Sequence, residues 1–175
     1  MFFRGRQPEV SVWRRFRTNI DGFTFRQDGD HYTAHAVANA ERSVDLYHSL
    51  AEQLPPAVDV AVEDVRSGRA WKGESLALPD VRDAIARLKA PLAIHAGVEL
   101  AVYSSEDQLT LTPNLELYIY ARTDKWLYIL QGKGLQEVRD VRTRSWKFRR
   151  EDFRPAPELD AALASAAGRL GLTPL

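Results

Sequence analysis

No cysteine occurs in the 175 residues. Structural disulfides, thiol nucleophiles and thiolate metal sites are thereby excluded, and the composition fits a reducing compartment. No uncharged apolar run approaches the ~20 residues of a membrane-spanning helix. MFFRGRQPEV at the start carries charge without the apolar stretch of a secretory signal. A soluble, cytoplasmic protein is the expectation. Net charge is missing too, with 24 Lys plus Arg against 24 Asp plus Glu, but the cancellation is uneven along the chain. Residues 1–26 hold six Arg against Glu9 and Asp21, and residues 132–154 hold eight Lys plus Arg against four acids. The span 27–131 has sixteen acids against nine bases. Basic ends on an acidic middle can dock on each other within one fold, or present a basic surface to an acidic partner.

What is present reads as one α+β domain, since this length buries a core without disulfides or metals. Residues 1–22 form an Arg-rich N-terminal arm, and residues 23–175 a single domain ending in a helix at about 157–170. Within 98–131, polar breaks at Ser105-Glu106-Asp107, Pro113-Asn114 and Thr123-Asp124 recur at the spacing of an antiparallel meander, which predicts four strands. Alternation puts Val98, Leu100, Val102, Leu109, Leu111, Leu115, Leu117 and Ile119 on one face of it. Tyr103, Tyr118 and Tyr120 fall on the other, with Glu99, Thr110 and Glu116.

Upstream, Asp28-Gly29 between alternating segments predicts a hairpin with a type I′ turn. Asn39 is placed to cap a helix with the apolar stripe Val44, Tyr47, Leu50, Ala51 and Leu54, stopped by Pro55-Pro56. Val58, Val60 and Val62 then alternate with outward Asp59 and Glu63, and a Ser67-Gly68 turn leads to a weaker strand near 70–74. Pro79 opens a second helix running through Lys89, and Pro91 closes it. Ser145 to Arg150 suits a further strand with Trp146 and Phe148 inward. The order strand, helix, strand, strand, helix, strand over 31–104 is that of a ferredoxin-like core, with helices on one face of a curved antiparallel sheet. The hairpin strand would crowd that topology, so another α+β arrangement is the broader expectation.

Few residues offer chemistry. His31 and His35 lie four apart on a strand, about 13 Å, too far to grip one ion, so no metal site and no cofactor is expected. Asp59, Glu63 and Asp64 read as outward strand acids that keep an edge soluble. Ser104-Ser105 lacks the flanking glycines of a nucleophile elbow, and Gly132-Lys133-Gly134 lacks the length of a phosphate loop.

Aromatic and basic surfaces remain. Tyr103, Tyr118 and Tyr120, with Trp126 and Tyr128 joining them according to the turn at 123–124, make a candidate interface or ligand face, with Arg122 and His35 as polar neighbours. Arg14, Arg15 and Arg17 near Trp13 and Phe16, and Arg144, Lys147, Arg149 and Arg150 near Trp146 and Phe148, make a basic surface. The leading expectation is a non-catalytic protein that binds a protein partner or its own second copy. An enzyme or small-molecule binder would instead line a pocket between sheet and helices with His35, Tyr118, Tyr120 and Arg122. Nucleic-acid binding would use the basic segments 4–26 and 133–154.

Overall fold

The computed structural model describes residues 21–141 and 153–175. The basic residues Arg14, Arg15, Arg17, Arg144, Lys147, Arg149 and Arg150, and the strand expected at 145–150, lie outside that range. Among the described residues the fold is α+β, an open, mostly antiparallel sheet of nine strands with four helices. In chain order the elements are β1 (Gly22–Asp28), β2 (His31–Val37), α1 (Ala40–Ala51), β3 (Ala57–Asp64), β4 (Arg69–Ala77) and α2 (Leu78–His95). They continue with β5 (Val98–Tyr103), β6 (Asp107–Leu111), β7 (Leu117–Ala121), α3 (Lys125–Gly132), β8 (Gln136–Glu137), α4 (Pro157–Leu170) and β9 (Thr173–Pro174).

Across the sheet the order is β8-β1-β2-β7-β6-β5-β3-β4-β9, with β1 and β8 parallel. The element order expected for a ferredoxin-like core is present, but its interlocked strand order is not: β2 lies between β1 and β7 rather than between β4 and β5. Between β4 and β5 lies β3, and the meander β5-β6-β7 separates β3 from β2.

Several turns and ends follow from local chemistry. The Asn39 side chain accepts from the Arg42 backbone N–H at 2.9 Å, capping α1. The first hairpin turn is shifted one residue from the expected place. Its central residues are Gly29 and Asp30, and only Gly29 has positive φ (+63°), the sign pattern of a type II′ turn rather than I′. Pro91 does not close α2, which runs to His95. Proline at 91 removes one hydrogen bond, to the carbonyl of the exposed Arg87, while buried Leu92 and Ala93 hold the last turn on the core.

The fourth meander strand is a helix. Lys125, Trp126 and Leu127 open α3, and the buried Asp107 carboxylate holds it, accepting from Trp126 Nε1 at 2.8 Å and Lys125 Nζ at 2.5 Å. A short apolar run such as WLYIL suits a buried strand or a helix, and this pair of bonds decides it.

One core joins these parts. The expected aliphatic face of the meander is buried throughout, from Val98 to Ile119, and continues into Val58, Val60 and Val62. Helix α1 plugs it with Tyr47, whose buried hydroxyl donates to the Leu100 carbonyl at 2.8 Å. Helices α2 and α4 cover Val60, Val62 and Leu100, and α3 approaches from the Asp107 end, so all four helices lie on this side.

Asp64 is fully buried, not outward. It accepts from the backbone of Arg66 and from both the backbone and hydroxyl of Ser67. Arg66 in turn donates to the carbonyls of His95 and Ala96, where α2 presents its negative end.

Candidate functional site

The second face of the sheet carries no described helix. Pairing registers place its residues in rows that cross the strands. One row reads Thr24, His35, Tyr118, Thr110, Ala101 and Ala61; a parallel row reads Thr33, Tyr120, Gln108, Tyr103 and Asp59. The period-2 reading thus brings Tyr103, Tyr118 and Tyr120 to one face, and the β2–β7 pairing brings His35 beside them.

His35 and Tyr118 sit directly opposite each other, their rings stacked at 4.2 Å between centroids and 8° between planes. Glu116, the residue before β7, fixes the imidazole, with His35 Nε2 and Glu116 Oε2 3.1 Å apart. Both partners are largely buried. Burial first, then the Glu116 and Tyr120 side chains, raise the Tyr118 phenol above its ordinary value, so it stays a neutral donor through the physiological range. Tyr120 is 46% exposed and projects beside this stack.

The remaining expected site residues lie elsewhere. Trp126 is in the core, and Tyr128 is exposed on α3 rather than on the tyrosine face. Arg122 follows β7, 4.0 Å from Glu106. Space between sheet and helices is lined by aliphatic side chains such as Val60, Val62, Ile85, Leu88, Leu100 and Leu163, without His35, Tyr118, Tyr120 or Arg122.

Glu116 is the member that sequence reasoning placed on this face without assigning it to the site. Its partner is 81 residues away, and only the β2–β7 register brings them together.

A glutamate that orients a histidine is half of a proton-transfer device, but the stacked Tyr118 ring covers one imidazole face. What the arrangement offers is aromatic area with phenol tips held in fixed positions, the composition of an interaction surface. No cluster of three or more His, Asp or Glu able to hold a metal occurs among the described residues, and no described helix is long and apolar enough to cross a membrane.

The fold and site define an α+β protein with a helix-covered aliphatic side and an aromatic, polar side. Compared with protein-family models, curated proteins and solved structures, the chain matches none.

Proposed function

We propose that this chain is a non-catalytic binding protein whose tyrosine face engages a polypeptide partner. The observation that supports this reading best is the His35–Tyr118 stack, pinned by Glu116 beside the half-exposed Tyr120. Rigid aromatic groups with polar tips give large contact area at low entropic cost, which is why they dominate binding hot spots. Catalysis has less support, because the space between sheet and helices is lined almost wholly by aliphatic side chains and, among the described residues, the histidine hydrogen-bonds to its carboxylate and to no hydroxyl.

A displayed peptide library selected on the protein tests the reading, with Tyr120→Ser as the counter-target. Tyr120 is exposed enough that its loss leaves the melting temperature within about 2 °C. Selected peptides are expected to bind the Tyr120→Ser variant at least ten-fold more weakly. Equal binding to both proteins by every selected peptide would remove the tyrosine face as the binding surface. Light scattering across a concentration series reads self-association in the same pair of proteins.

A further inference from the structure

Helices α1 and α2 meet along a seam held by two ion pairs, Lys89 Nζ with Asp45 Oδ1 at 2.6 Å and Arg82 Nη2 with Glu52 Oε2 at 3.8 Å. The order of the pairs is reversed between the two helices, which therefore run antiparallel. Asp45 and Glu52 are seven residues apart, as are Arg82 and Lys89, so the pairs bracket two helical turns. The half-buried His48 stands in that interval, three residues after Asp45 and four before Glu52, the spacings that share one helix face. The matching position on α2, three residues after Arg82 and four before Lys89, is the buried Ile85.

From α2 this imidazole meets cations, and the acids of the seam come from its own helix and that helix's cap. Arg82 is itself incompletely compensated: its Nε is buried without a hydrogen-bond partner among the described residues, and Glu52 lies beyond hydrogen-bond length. Asp83, the acid next to Arg82, is exposed and paired with Arg87 at 2.9 Å. On a further flank, Lys133 Nζ meets the hydroxyl of Ser49, next to His48, at 2.6 Å. Burial first, then Arg82 and Lys89, hold the His48 imidazole below its ordinary value of 6.5, against the opposite pull of Asp45 and the Arg82 carbonyl.

We propose that the α1–α2 seam is an acid-released clasp with His48 as its trigger: a neutral imidazole leaves both ion pairs closed, and a protonated one competes with Arg82 and Lys89 for their carboxylates. A third cation in the seam then loosens α1 from α2. The preceding residue, Tyr47, shares its buried hydroxyl between the Leu100 and Leu109 carbonyls at 2.8 and 3.3 Å, so a shift of α1 reaches the core side of β5 and β6. The folded protein holds the His48 proton less tightly than the unfolded chain. Stability from this group is therefore fully present above the unfolded value and is lost as pH falls through the folded one. The clasp stands independently of the binding reading above.

Ring-proton NMR of the full chain gives the His48 titration, assigned by the resonance missing from His48→Gln. Its midpoint is expected below 6.5, and Arg82→Gln is expected to move it up. Amide hydrogen exchange, corrected for intrinsic rates, reads the clasp itself. Protection across α1 is expected to fall several-fold between pH 7.5 and pH 5, and that of β5, β6 and β7 distinctly less. His48→Gln, which cannot take the proton, is expected to keep most of its α1 protection over the same range.

A midpoint at or above 6.5, or the same acid loss in the parent and in His48→Gln, would overturn the proposal. Equal loss in α1 and in the central strands would overturn it too, because acid would then weaken the whole fold rather than this seam. Should His48→Gln fail to fold, Arg82→Gln decides through exchange alone. With that cation gone α1 is expected to lose less protection on acidification, and an unchanged loss would remove the seam as the trigger.

Discussion

Gly97 and Gly29 both have positive φ, +77° and +63°, but they answer to different neighbours. A Cβ at position 29 meets nothing within 4 Å, whereas one at position 97 would come within 2.5 Å of Arg66 Nη1 and 2.9 Å of the Phe153 ring. Arg66 cannot yield easily, because it holds the last carbonyls of α2 and the Arg154 carbonyl and lies over Phe153 at 5.0 Å. Gly29→Ala is therefore expected to cost about 1 kcal/mol, the backbone penalty alone. Gly97→Ala should cost more than about 2 kcal/mol, because strain and displacement of a buried cation add to it. Urea denaturation of the two variants distinguishes these values, and equal losses would mean that the Arg66 clamp contributes nothing.

At the scale of elements, α3 shows what periodicity can and cannot tell. The alternation in 98–121 made the aliphatic face of β5, β6 and β7 legible from sequence, because burial on one side imposes a period of two. The run from Trp126 to Leu130 is too short for period to decide, and the deciding contact comes from Asp107, nineteen positions earlier. Asp107→Ala is expected to cost about 2–3 kcal/mol by leaving the buried Trp126 N–H without an acceptor, and Asp107→Asn distinctly less. Near-ultraviolet dichroism of the folded variant checks whether α3 loses its fixed indole, and an unchanged spectrum with unchanged stability would refute the role.

Other elements divide along the same line. Asn39 and the Val44–Leu54 stripe were readable because a cap and an apolar face are local signals. Asp64 was not, because its burial depends on the chain folding back at Ser67 and its carboxylate satisfying two backbone donors there. The candidate site divides likewise: the tyrosines share a face by sequence parity, whereas His35 reaches Glu116 only through the β2–β7 register.

For the whole molecule, zero net charge conceals a cost set locally at Glu99, by partial burial first and then by Glu63 directly opposite it in the β3–β5 pair. The folded state raises the Glu99 carboxyl above its ordinary value of 4.5. The folded protein thus holds that proton more tightly than the unfolded chain. Stability from this group is fully present below the unfolded value and is lost as pH rises through the folded one. Glu99→Gln removes the loss, so the variant is expected to melt higher than the parent at pH 7, with the difference shrinking on acidification to pH 4.5. Calorimetry at both values checks the sign, and a difference that stays constant or grows in acid would contradict it.

The sheet order carries a consequence for how the chain is made. Among the described residues, the hairpin of β1 and β2 joins the larger part of the sheet only along β2–β7, where Tyr32 pairs with Ala121 and Ala36 with Leu117. A chain synthesised from its N-terminus therefore completes that hairpin more than eighty residues before its neighbour exists. In the interval the β2 edge presents unpaired backbone donors and acceptors, a template for pairing with another nascent chain. The early hairpin must therefore wait unpartnered, and any helper that shields it acts before Leu117 leaves the ribosome.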